Sequence, residues 1–114
     1  MNKKIQVVFY KTLAGNEPVR EWLISLDLED KKSIGSDIKT VEYGWPIGMP
    51  VSRSLGNSLY EVRSNISHKR IARVIFTIID NYMVLLNGFI KKTQKTPQNE
   101  IDLALKRVKD IKWT

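Results

Sequence analysis

The chain has 114 residues and a mass of 13.2 kDa, with 19 Lys and Arg against 12 Asp and Glu, a net charge of +7 and a sequence pI near 9.7. One domain spanning 1–114 fits that length, and its core needs no disulfide or metal. The absence of Cys excludes a disulfide scaffold and cysteine-ligated metal sites, and the single histidine, His68, leaves little room for zinc sites or histidine-based nucleophile triads.

The N-terminal Met1-Asn2-Lys3-Lys4 and the short apolar run after it are too brief for a signal peptide, and nothing reads as a membrane span. The expected setting is the cytoplasm. Ile5 to Tyr10 is β-prone and reads as the first strand, followed by a loop over 11–15. Asn16 is placed to cap a helix that has Glu17 and Pro18 in its first turn. Val19, Trp22, Leu23 and Leu26 then recur at i, i+3, i+4 and i+7, one apolar helix face. After a break at Ser25 or Asp27, a second helix is predicted from about Glu29 to Tyr43, with Ile34, Ile38 and Val41 inward and Gly44 as its stop.

Residues 45–57 carry two prolines and two glycines and read as an ordered loop. In Leu59-Tyr60-Glu61-Val62-Arg63, apolar and charged residues alternate as on a half-buried strand, which puts Glu61 and Arg63 on one face and Tyr60 and Val62 on the other. Ser64 to Lys69 reads as a polar turn, with His68 a surface residue. Two apolar, β-branched runs, 71–79 and 82–86, meet at Asp80-Asn81, which tolerate the backbone of a tight hairpin turn. The second run is expected to end at Asn87-Gly88, giving way through Phe89 and Ile90 to the cationic Lys91, Lys92 and Lys95. Thr96-Pro97 then opens a last helix whose stripe is Ile101, Leu105 and Val108, running to about Asp110.

The expected order is thus β-α-α-β-β-β-α, an α+β domain with an antiparallel sheet and helices packed on one face. Charge is divided along it. Seven of the acidic residues fall between Glu17 and Glu42, whereas 53–95 holds only Glu61 and Asp80 against eight Lys or Arg. The positive field belongs to the sheet and the loop after it, which points to a polyanionic partner.

Several pieces together resemble a known family. They are L-Y-E-V-R at 59–63, Arg73 opening R-V-I-F, V-L-L-N-G-F-I-K-K-T-Q-K-T-P at 84–97 and E-I-x-x-A-x-x-R from Glu100 to Arg107. With the G-x-P-x-G-x-P loop at 44–50 they are similar to the phage-derived, HigB-like branch of the RelE/ParE toxin superfamily, over nearly the whole chain. The resemblance implies a RelE-like fold and the toxin of a type II toxin–antitoxin pair. It further implies a ribosome-dependent mRNA endoribonuclease, with a helix-turn-helix antitoxin and ribosome-bound mRNA as partners and with no membrane or small-molecule cofactor. A ParE-like toxin directed at gyrase, or a non-catalytic relative that binds RNA or an antitoxin, are the alternatives the same kinship leaves open.

Cleavage by attack of the 2′-hydroxyl on the adjacent phosphate calls for a base, charge stabilisation on the phosphorane and a proton for the 5′-oxygen. The sequence offers cations for this, and guanidinium matches phosphate in a bidentate fork. The resemblance makes Arg73 and Arg63 phosphate-stabilising candidates and Lys91 and Lys92 further catalytic candidates, with Lys95 binding RNA. Tyr60 and Phe89 are candidate platforms for a splayed base. Arg73 has a plainer possible role, as the partner of Glu61 across the sheet. RelE itself carries a reactive tyrosine or arginine near its end, whereas this chain finishes Lys112-Trp113-Thr114, which leaves the general acid and base unassigned. No metal is expected, because the chemistry needs none and no ligand cluster is visible.

Overall fold

The computed structural model describes residues 4–91 and 95–112. The elements in chain order are β1 (Gln6–Phe9), α1 (Pro18–Ile24), α2 (Leu28–Gly44), β2 (Ser52–Gly56), β3 (Leu59–Ile66), β4 (Arg70–Ile79), β5 (Tyr82–Lys91) and α3 (Gln98–Lys112). They form a mixed α+β fold, one five-stranded sheet in the order β1-β5-β4-β3-β2 with three helices. β2 to β5 are antiparallel neighbours, and β1 runs parallel to β5 on the far edge. The first strand therefore enters beside the last one, and the sheet is not antiparallel throughout.

Two further expectations fail. The stretch read as a loop over 45–57 contains β2, an extra strand pairing Ser52 with Val62 and Arg53 with Glu61. Its sequence, S-R-S-L-G, lacks the apolar alternation that marks a strand, and it forms because β3 offers it a ladder. The helices also do not share one face. α1 and α2 bring Val19, Ile34, Ile38 and Val41 against Val62, Val74, Phe76, Met83 and Leu85, while α3 brings Ala104 and Val108 against Ile75, Val84, Leu86 and Phe89 on the reverse side. Both sides of the central strands are apolar, so each needs cover.

The Asp80-Asn81 hairpin stands as read, with Ile79 opposite Tyr82 and Asp80 at φ 53°. At the start of α1, Glu17 rather than Asn16 holds the cap position, and its N–H donates to the Glu21 carboxylate at 3.0 Å. β5 does not stop at Asn87-Gly88. A Cβ on Gly88 would sit 2.5 Å from the Trp22 ring, so α1 presses an indole onto the strand where only glycine leaves room. Gly88→Ala is expected to destabilise the fold by about 1–3 kcal/mol through overpacking, read as a lower urea midpoint with an unchanged slope.

A bulge places Leu86 as an extra residue of β5, because Ile75 faces Asn87 while Phe76 faces Leu85. α3 is fastened there. Asn87 Nδ2 donates to the Glu100 carbonyl (3.2 Å) and carboxylate (2.9 Å), and Arg107 Nη1 donates to the Leu86 carbonyl (2.6 Å).

The polar turn after β3 is shorter than expected, Ser67–Lys69, with His68 and Lys69 at φ 59° and 57°. It is pinned to α2 by Asp30, a buried carboxylate that accepts the Ser67 N–H (3.1 Å), the Ser67 hydroxyl (3.2 Å) and Arg70 Nη2 (2.8 Å). Those contacts, the Ser67 N–H foremost, hold the Asp30 pKa below its usual value. A depressed carboxylate pKa contributes stability above the unfolded pKa of about 3.9, and that stability is lost as pH falls through the folded value. Asp30→Asn is therefore expected to melt lower than the unaltered chain at pH 7, with the gap closing below about pH 4 in thermal melts taken across pH.

Candidate nucleic-acid interface

Strand register assembles the basic residues at one corner of the sheet. Arg53 lies opposite Glu61, Arg63 opposite Arg73, Arg73 opposite Phe89, and Ile71 opposite Lys91. Side chains alternate along a strand, so Arg53, Glu61, Arg63, Arg73 and Phe89 occupy one face, the one α3 partly covers. Directly opposed residues on one face have Cβ atoms about 4.5–5.5 Å apart. Arg63 and Arg73 are thus immediate neighbours although ten residues separate them in sequence.

Their environments differ. Arg53 is exposed and Arg63 half-buried, whereas Arg73 is fully buried and donates from Nη1 to the Lys95 carbonyl at 3.2 Å. Beside it Glu61, also fully buried, accepts the Thr96 hydroxyl at 2.6 Å through Oε2, while Oε1 accepts no hydrogen bond among the described residues. The two buried side chains clasp the segment that leads into α3. Burial lowers the Arg73 pKa, Glu61 raises it, and Arg63 and Arg53 lower it again. A guanidinium stays charged through such shifts. Arg73 is therefore a fixed positive charge beneath the surface, and Arg53 and Arg63 are the cations of this cluster that reach solvent.

The sequence-derived candidates divide accordingly. Arg63, Arg73 and Lys95 come together, with Lys95 exposed and supplying its carbonyl to Arg73. Lys91 closes β5 in the same region, by its register with Ile71. Lys92 lies outside the described residues. Phe89 is 7 % exposed and packs in the α3-side core. Tyr60 is on the opposite face, where it meets Trp45 edge-on at 4.9 Å and stacks with Phe76 at 5.5 Å. Tyr60 and Phe89 thus do not share a surface. His68 is an exposed turn residue. Arg53 was missed in the sequence because its segment read as loop. The one signal that could have found it was S-R-S, a strand-compatible triplet preceding G-N-S, a turn sequence in which Asn57 and Ser58 adopt φ 53° and 64°.

Among the described residues no group of three or more His, Cys, Asp or Glu is gathered to hold a metal, and no helix is long and apolar enough to cross a membrane. No curated protein sequence matches the chain. Residues 21–109, from α1 nearly to the end of α3 and including every strand of the basic corner, match the model described as Phage derived protein Gp49-like (DUF891), and the chain belongs to that family.

Proposed function

We propose that this protein is the toxin of a toxin–antitoxin pair, an endoribonuclease that cuts mRNA on the ribosome. The reading is supported by family membership, by the resemblance of its motifs to HigB-like toxins, and above all by one observation. Three arginines, Arg53, Arg63 and Arg73, from three adjacent strands, converge on one face next to the Lys95 segment.

In this reading a ribose–phosphate linkage lies on the solvent side of the corner. The 2′-oxygen forms a bond to phosphorus as its proton leaves, and the bond to the 5′-oxygen breaks as that oxygen gains a proton. The products are a 2′,3′-cyclic phosphate and a free 5′-hydroxyl end. Arg53 and Arg63 grip the non-bridging oxygens, whose charge grows in the phosphorane. Arg73 adds a fixed field from a site of low dielectric and holds the Lys95 segment against the sheet. Lys95, exposed beside Arg73, supplies further positive charge, and Lys91 and Lys92 add to the net charge of the segment between β5 and α3. The expected partner is a helix-turn-helix antitoxin that neutralises this face, and the expected setting is the cytoplasm.

Primer extension on ribosome-associated mRNA after brief induction tests the reading. Discrete new 5′ ends within coding sequence are the expected result. Intact mRNA accompanied by loss of DNA supercoiling would replace it with a gyrase-directed toxin. Intact mRNA with normal supercoiling and growth would leave a binding protein.

A further inference from the structure

On the other side of β2 from the arginine corner lies a shallow groove of about 340 Å³, lined by Trp45, Pro46, Ile47, Ser52, Ser54 and Tyr60, with Arg53 at its rim. It exists because β2 presents only serines there. Ser52 and Ser54 stand opposite Val62 and Tyr60, so the outermost strand lays no bulky side chain over the Tyr60 ring. Trp45 packs edge-on to Tyr60 at 4.9 Å and to Phe76 at 5.6 Å. Phe76 is fully buried and anchors the cluster from beneath, while Trp45 and Tyr60 remain partly exposed. Two braced aromatic rings are thus open to a ligand at a sheet edge, and a cation shared with the phosphate-binding corner borders them.

We propose that this groove is a base-stacking subsite, which takes an unpaired base of the RNA strand whose phosphate is held at the arginine corner. The inference rests on the RNA-cleaving reading above and adds a second contact to it. Aromatic faces and arginine together favour a nucleobase over an aliphatic ligand, and only the outermost strand, β2, separates the corner from the groove. Stacking on such a platform contributes about 1–3 kcal/mol per base, or roughly five- to 150-fold in affinity.

The test uses the full chain and two short single-stranded RNAs of equal charge, one normal and one abasic along its length, with binding followed by fluorescence anisotropy at fixed salt. Normal RNA is expected to bind at least fivefold more tightly than abasic RNA, and to quench tryptophan fluorescence. Trp45→Leu should remove that preference and leave abasic binding unchanged, while Trp45→Phe, which keeps a ring, should retain most of it. Equal affinity for the two RNAs in the unaltered chain would overturn the stacking subsite and leave the phosphate-binding corner standing. A preference that persists undiminished in a folded Trp45→Leu variant would also overturn it. Failure of both RNAs to bind at low salt would overturn the subsite, while discrete new 5′ ends in the primer-extension experiment would leave the RNA-cleaving reading standing.

Discussion

Arg53→Ala/Arg63→Ala is expected to abolish growth arrest on induction and to lower ribosome-associated mRNA cleavage by about 10²–10³ or more, while the protein stays folded. The magnitude follows from removing preorganised donors aimed at a developing oxyanion, each on the order of 10²–10³ in rate. The fold should survive because Arg53 is exposed and Arg63 only half-buried, and because both lower the Arg73 pKa, so their loss relieves repulsion there. Changing both to lysine separates charge from shape. The positive field is kept but the bidentate fork is lost, so cleavage should fall to an intermediate level. Primer extension together with the melting temperature of each purified variant checks the prediction. A soluble, folded double-alanine variant that still arrests growth at the unaltered chain's rate would show that these arginines do not hold the scissile phosphate.

The helices and the hairpin were legible because their signals are local. Ile34, Ile38 and Val41 share one helix face, and Asp80-Asn81 separates two β-branched runs. What escaped notice depended on partners distant in sequence. β2 forms on the ladder that β3 offers, and S-R-S-L-G lacks the apolar alternation that would announce it. The continuation of β5 through Gly88 depends on Trp22, some 66 positions earlier, because the indole occupies the space a side chain would need. The placement of α3 on the reverse face follows from Ile75, Val84 and Leu86, which periodicity marks as buried but not as facing a particular helix. For the candidate site the alternation of Tyr60 to Arg63 correctly separated charged from apolar residues. It could not show that the charged side is the buried one for Glu61 and Arg73, because both are held by the Lys95–Thr96 segment, at least 22 positions away in sequence.

That burial sets the largest expected stability effect. Arg73→Met should destabilise the fold by about 3–5 kcal/mol, because it removes the buried cation beside Glu61 and leaves a carboxylate enclosed without compensation. It also deprives the Lys95 carbonyl of its donor. If the cost is mainly the uncompensated charge, Arg73→Met/Glu61→Leu should recover all but about 1–2 kcal/mol, since an apolar pair can replace a buried ionic one and what remains lost includes the partners of the Thr96 hydroxyl and the Lys95 carbonyl. Urea unfolding of the two variants and of Glu61→Leu alone closes the cycle and gives the coupling energy directly. Additive losses would mean that Glu61 and Arg73 do not compensate one another. The double variant also decides what Arg73 does for function. Loss of growth arrest in the single variant alone is uninformative, because an unfolded chain is inactive for any reason. A refolded double variant that still fails to cut mRNA would show that the buried guanidinium contributes its field, or its hold on the Lys95 segment, to the reaction. One that cuts normally would reduce Arg73 to a strut of the fold.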